Sequence, residues 1–338
     1  MTTPWKRFQL RSWDNFKTYF KIEMQLLGKE WKVILPCVIM QYVHGVFHNL
    51  AYWVQGNVLS TEQRFTLHDV GYSIMPELTG TAASISDILV FAGVFAPALL
   101  LIVSIALFRT NPNKPRYIVI VGKRLLLHIS ICLVFRIISF LVTALPSPAA
   151  HCELKFNDAC LAANPDDPVP CVIPNPDFNP PSVGEFFTNM DSLNGCGDLM
   201  FSSHTIYTMS FILGVWKYWP NKYGITVMIC LQIAIAFLIV ASRKHYTLDV
   251  FSALYIVPLF WFTQDAYMND INNKDVKVSP KSIFDFYGVD ITPDLDESNP
   301  TSPDVALQNV QLSVEEESLT GDSESNQPTT AFQRKASM

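Results

Sequence analysis

Charge is scarce in this 338-residue sequence. Asp, Glu, Lys and Arg make up 16% of it, against 49% hydrophobic residues. A soluble domain usually carries about 25% charged residues, so the shortfall points away from one and toward a membrane protein. Basic charge gives no surplus either. The formal net charge is -6, and nothing in that balance favours nucleic acid as a partner. The acidity is local: residues 268–338 hold 13 of the 30 acids and five of the 24 bases, leaving 19 bases against 17 acids elsewhere. The opening MTTPWKRFQL lacks an apolar stretch suited to a signal peptide, and the first long one begins near Val33. It is expected to act as a signal anchor that stays in the protein. There is no internal repeat and no CxxC pair.

What the sequence does have is long apolar runs. A hydrocarbon core of about 30 Å needs about 20 apolar residues as helix. Six stretches qualify: Val33–Val54, Ile88–Phe108, Leu125–Leu145, Leu199–Trp219, Tyr223–Ala241 and Thr247–Phe262. The fourth and sixth carry polar groups at one end. The expected fold is an all-α membrane protein of six transmembrane helices. Lys and Arg in the short flanks set its orientation. Seven lie in residues 1–32, five between Arg109 and Arg124, and two at Lys217 and Lys222. The alternate connections hold Arg64, Lys155, Arg243 and Lys244. Both termini are therefore expected in the cytosol, with the connections before the second, fourth and sixth helices lumenal.

Three parts are expected. Residues 1–32 form a cytosolic amphipathic segment, 33–266 a six-helix catalytic domain with a lumenal loop at 146–198, and 267–338 a disordered acidic cytosolic tail. Residues 160–182 are dense in Pro, Asn and Asp and read as irregular loop. Lys281–Val289 reads as a stretch that clings to the membrane surface. Cys152, Cys160, Cys171 and Cys196 fall in or beside the lumenal loop, and an even set there fits disulfides in an oxidising compartment. Four cysteines allow three connectivities. A zinc site is the rival, weakened by the irregular spacings.

Two polar segments stand at one expected membrane face: CGDLMFSSHT, residues 196–205, and SRKHYTLDV, residues 242–250. They bring His204, His245, Asp198 and Asp249 to one depth with Arg243 and Lys244. His245 and Asp249 are four apart, so they share a face if the helix begins at or before His245. Asp249 would then fix one imidazole nitrogen and leave the other free to attack. His204 is suited to move a proton on the leaving or incoming oxygen. Arg243, Lys244 and Arg136 are candidates to balance phosphoryl charge. Plainer readings stand beside these. A histidine near a helix end is often structural, and an aspartate there is often a cap. Arg243 and Lys244 fit an interfacial anchor, and Arg136 a buried ion pair with Asp249 or Asp198. His44, His48 and His128 read as helix–helix hydrogen bonding.

These residues resemble a family. CGDLMFSSHT followed by SRKHYTLDV resembles the paired signatures of sphingolipid synthases, in the lipid phosphate phosphatase superfamily. The closer resemblance is to plant-type inositol phosphorylceramide synthases, through 31–45 (WKVILPCVIMQYVHG), 67–78 (LHDVGYSIMPEL), 136–152 (RIISFLVTALPSPAAHC), 195–205 and 241–250. It spans roughly residues 30–265. Ser202-Ser203 departs from the Ser-Gly of many sphingomyelin synthases, and the loop with Cys160 and Cys171 is longer than the plant pattern. The resemblance implies a six-helix fold in the Golgi membrane with a lumenal site. It implies a His204, His245 and Asp249 triad, with His245 as nucleophile on phosphorus. It also implies metal-independent chemistry without a cofactor, acting on phosphatidylinositol and ceramide.

The headgroup side chains expected around the site are Asn189, Asp191, Ser192, Asn194, Asp198, Ser202 and Ser203, with Arg243 and Lys244. That set suits a polyol better than a cationic headgroup, although Phe186, Phe187 and Tyr246 offer an aromatic wall suited to choline. The expected activity is phosphoinositol transfer from phosphatidylinositol to ceramide. The rivals are a phosphocholine or phosphoethanolamine transferase, a lipid phosphate phosphatase, and a transporter. A transporter predicts polar residues through the middle of several helices; here they cluster at one face.

Overall fold

In the computed structural model, residues 10–109, 116–189, 195–219, 222–267 and 280–295 are described. They are mostly helical. In chain order the elements are α1 (Trp13–Asn57), α2 (Val70–Ile74), α3 (Thr81–Leu107), α4 (Ile118–Val142), β1 (Lys155–Phe156), α5 (Asp158–Ala163), β2 (Val172–Ile173), α6 (Ser203–Tyr218), α7 (Lys222–Ala241), α8 (Thr247–Tyr267) and α9 (Pro280–Tyr287). Among the described residues, α1, α3, α4 and α7 are long and apolar enough to cross a membrane. α6 has only 16 residues, and α8 has 21 with Asp249 in its first turn.

α1 runs unbroken for 45 residues, with Ser12 accepting from Asn15 N at its start. At 1.5 Å per residue that is about 67 Å, roughly twice the hydrocarbon thickness. The expected boundary at residue 32 is thus not a break in structure. Gly28 and Pro36 flank that position, and the helix runs through both, held by its tertiary packing. The early turns bury Tyr19, Ile22 and Leu26 against Tyr117, Ile120 and Val121 at the start of α4. The Glu23 carboxylate accepts from Ile118 N (2.5 Å) and Val119 N (3.0 Å), so α1 caps α4. Lys123 pairs with Glu30 at 2.9 Å. α4 packs most extensively on α1, and α6 is central, touching α3, α4, α7 and α8.

The expected tail needs correction at residues 280–295. This stretch folds onto the same core through Ile283, Tyr287, Val289 and Ile291. Asp294 pairs with Arg11 at 2.7 Å, both side chains all but fully buried. Burial of alternate apolar residues outweighs the acidic composition that suggested disorder. Residues 268–279 and 296–338 lie outside the described residues.

Residues 160–182 are also more ordered than their composition suggests. They include the end of α5, a short 3-10 turn at Val169–Cys171, and β2, which pairs antiparallel with β1. Disulfides join Cys160 to Cys171 and Cys152 to Cys196. The first clamps this small unit. The second holds the residue just before Gly197-Asp198 against the end of α1, in a cluster with Tyr52.

Candidate active site

The turn leading into α6 is unusual in its backbone. Gly197 has φ 86°, Met200 φ 78° and Phe201 φ 52°. Left-handed conformations at non-glycine residues are uncommon and need support from their surroundings. Gly197 is required for a second reason: a Cβ there would lie 2.4 Å from Gln55 Cγ.

Arg136 of α4 supplies the support. It is fully buried. Its guanidinium donates to the carbonyls of Asp198 (2.5 Å), Met200 (2.9 Å) and Phe201, to Asp198 Oδ2 (2.5 Å), and to His44 Nε2 (3.3 Å). Asp198 Oδ2 also lies 2.9 Å from His48 Nδ1. Burial would push the Asp198 carboxyl up, but His48 and Arg136 hold it well below the usual carboxylate range. Arg136 and Asp198 are thus bound to each other and to the turn. His44 and His48 join this network from α1. His128 instead packs edge-on to Trp261, with ring centroids 5.2 Å apart.

The second segment meets the first through Asp249. Its Oδ1 accepts from Met200 N at 3.0 Å, its Oδ2 from Tyr246 N at 3.1 Å, and its carbonyl from Ser202 N at 3.1 Å. Oδ2 stands 3.4 Å from His245 Nδ1, within ion-pair reach but outside hydrogen-bond geometry. α8 begins at Thr247, after His245. The two side chains meet because a turn brings His245 back over the helix start, not because they share a helix face. Asp69 stabilises that start, accepting from Thr247 N (2.8 Å) and Thr247 Oγ1 (2.6 Å). Tyr72 OH donates to His245 O at 3.0 Å.

His204 and His245 face each other edge-to-face, ring centroids 5.5 Å apart. Among the described residues, His204 Nδ1, His245 Nδ1, Ser202 Oγ and Thr205 Oγ1 are buried without a hydrogen-bond partner. Such groups are costly to leave unsatisfied; His245 Nδ1 faces Asp249, and the others stand at the start of α6. A cavity of about 340 Å³ opens at His204, with a mostly apolar surface. Its polar lining includes Gln41, His48, Asp87, Asn189, Ser203 and His204, with Phe91 and Phe95 on α3.

The two cations behave differently from the sequence expectation of an anion-binding pair. Lys244 is ion-paired with Asp87 and donates to Ser86 Oγ at 3.0 Å. Arg243, at φ 56°, donates to the carbonyls of Tyr72 (3.1 Å) and Met75 (3.2 Å) and lies over the Tyr72 ring at 4.1 Å. Both brace the 242–246 turn against α2 and α3. Asp191, Ser192 and Asn194 lie outside the described residues. Asp69 and Asp87 are the neighbours that motif reading missed; His44 and His48, expected to hydrogen-bond between helices, meet Arg136 and Asp198. The signal for Asp69 was its place in the matched LHDVGYSIMPEL segment, and for Asp87 its position as the one acid at the start of an apolar run.

Half-buried His204 and buried His245 and Asp249, presented by adjoining helix starts in a helical bundle, define a class. The sequence profile of the family described as PAP2 superfamily C-terminal matches residues 195–266, which hold all three. Phosphatidylinositol:ceramide inositolphosphotransferase 2 of Arabidopsis thaliana is 30% identical over 280 residues, 83% of this chain and 84% of its own. The phosphatidylinositol:ceramide inositolphosphotransferase of Oryza sativa subsp. indica is 30% identical over 266 residues, 78% and 73% of the two chains. Phosphatidylcholine:ceramide cholinephosphotransferase 2 of Homo sapiens is 31% identical over 187 residues, 54% and 47%. The chain belongs to the family of the plant inositol phosphorylceramide synthases.

Proposed function

We propose that this protein transfers phosphoinositol from phosphatidylinositol to ceramide, yielding inositol phosphorylceramide and diacylglycerol. The observation that carries the reading is the junction at Asp249, which holds His245 against His204, itself at the wall of a cavity. The plant relatives, named for this reaction, align over most of the chain.

In the first half-reaction His245 attacks phosphorus. Nδ1 faces Asp249, so Nε2 is the attacking atom, and the carboxylate supports the imidazolium that forms. The bond to the diacylglycerol oxygen breaks, and His204 gives that oxygen a proton. In the second, His204 takes the proton of the ceramide primary hydroxyl, whose oxygen attacks phosphorus. The P–N bond breaks and His245 is restored. Arg136 and Asp198 set the turn that delivers His204, and Ser202 and Ser203 offer hydroxyls to the phosphate or headgroup. Both lipid tails stay in the bilayer, so a site at the membrane surface positions the reacting groups.

The chain spans the membrane six times, α6 and α8 completing the set begun by α1, α3, α4 and α7. Both termini are cytosolic and the site is lumenal, in the Golgi. The distribution of Lys and Arg supports this orientation. So do the two disulfides at the catalytic end, which belong in an oxidising compartment. The catalytic domain extends from α1 through residue 295.

The test is purified protein with labelled ceramide and a panel of phospholipid donors. Phosphatidylinositol is expected to be used at least about tenfold better than phosphatidylcholine or phosphatidylethanolamine, about 1.4 kcal/mol in transition-state binding. A predominant phosphocholine or phosphoethanolamine product would overturn the inositol assignment.

A further inference from the structure

A second cavity lies between α3, α6 and α7, with a volume of about 520 Å³. Its walls are almost wholly apolar, with Ala96, Leu100, Val227 and Leu231 among them. On α7 the lining runs from Tyr223 to Ile235, about 18 Å of helix at 1.5 Å per residue. That exceeds half of an approximately 30 Å hydrocarbon layer. The shape is a slot along the bundle, suited to a single lipid chain.

The slot has a polar mark near the catalytic end. Thr208 and Gln232 line it. Thr208 stands one turn after His204 on α6 and donates to His204 O at 2.8 Å. Thr208 Oγ1 also lies within hydrogen-bond reach of Gln232 Oε1, its one hydrogen serving either acceptor in turn. Gln232 is only 3% exposed, and its Nε2 has no hydrogen-bond partner among the described residues. Turning the amide over would satisfy Nε2 on Thr208 and leave Oε1 unsatisfied instead. Either way one amide atom at the slot awaits a ligand.

We propose that this slot takes a chain of the acceptor ceramide, with Gln232 hydrogen-bonding the ceramide amide. The inference rests on the proposed function. Ceramide carries its amide on the carbon next to the reacting hydroxymethyl group. A ceramide with that hydroxyl at His204 puts its amide about one helical turn deeper, where Thr208 and Gln232 stand. An amide offers both a donor and an acceptor, so it satisfies Gln232 in either orientation. The esters of a glycerophospholipid offer acceptors only. The cavity at His204, where Gln41, Asp87, Asn189 and Ser203 stand among apolar walls, is left for the donor.

The experiment uses the full-length protein in mixed micelles, varying ceramide and phosphatidylinositol in turn. Gln232→Leu keeps the size and removes the amide. It is expected to raise the apparent KM for ceramide at least tenfold and leave the KM for phosphatidylinositol within twofold. In parallel, wild type is irradiated with a ceramide bearing a diazirine in its acyl chain. Label is expected on the peptide spanning residues 222–241, and Ala96→Phe, which narrows the slot, is expected to reduce it. An unchanged ceramide KM in folded Gln232→Leu overturns the proposal. A rise confined to the donor KM does the same, by giving the slot to the other lipid. Label absent from 222–241 also overturns it, and that readout stands even if the Gln232 variant does not fold. Wild type that makes no phosphorylceramide but labels 222–241 refutes the proposed reaction while leaving the slot as a ceramide site.

Discussion

Asp249 lies four residues after His245, and its Oδ2 stands 3.4 Å from His245 Nδ1. The same carboxylate accepts the backbone N–H groups of Met200 and Tyr246. One side chain therefore both orients the imidazole and ties the two catalytic segments together. His245→Ala and Asp249→Ala are each expected to abolish transfer. Asp249→Asn keeps the shape but loses the charge that supports imidazolium, and is expected to lower kcat at least about a hundredfold. The assay is turnover at saturating lipid, with the melting temperature as control for folding. Substantial turnover by His245→Ala would exclude it as nucleophile.

Arg136 acts through the turn it holds. A lysine cannot reproduce a fork that reaches three carbonyls and a carboxylate. Arg136→Lys is expected to lower kcat at least about tenfold. Arg136→Met leaves Asp198 buried with one cationic neighbour fewer, a loss of roughly 3–5 kcal/mol for a broken buried pair. Thermal unfolding in detergent measures this. A wild-type melting temperature and kcat in Arg136→Met would remove Arg136 from the account.

The end of the folded chain can be located by truncation. Removing residues 296–338 is expected to leave specific activity unchanged. Removing 280–338 exposes the groove vacated by Ile283, Tyr287, Val289 and Ile291 and strips buried Arg11 of Asp294. Each lost apolar side chain is worth about 1.5–3 kcal/mol. The longer truncation is therefore expected to lower the melting temperature by roughly 5 °C or more. Equal stability of the two truncates would contradict the docking of 280–295.

Orientation is open to labelling in sealed vesicles. Ser182 is exposed in the connection between α4 and α6. A cysteine introduced there is expected to react with an impermeant reagent only after the membrane is opened. Reaction from the cytosolic side would invert the proposed topology.

Much of the candidate site is legible in the sequence because its members are unlike residues in apolar surroundings. His204, His245 and Asp249 stand out where burying polar groups is costly. Arg136 stood out equally, and the ion pair with Asp198 was among its readings. The side chains that hold the site together were harder to see. Asp69 acts from the connection between α1 and α3, Asp87 from the start of α3 and His48 from α1, at separations that no local pattern reveals. Arg243 and Lys244 looked like ligand-binding cations because sequence shows their charge but not Asp87 or the carbonyls of Tyr72 and Met75. The fold of 280–295 was hidden for a similar reason. Its apolar residues stand in a mostly polar, acidic segment, and their partners lie at the start of the chain and in α4.

The covalent step is the centre of the account, and trapping it tests that most directly. Purified protein is given phosphatidylinositol labelled in the headgroup, without ceramide, and digested under alkaline conditions that preserve phosphohistidine. The account predicts phosphoinositol on His245, released as inositol phosphorylceramide when ceramide is added. Label on His204 instead, or full turnover with no labelled histidine under any quench, would contradict it.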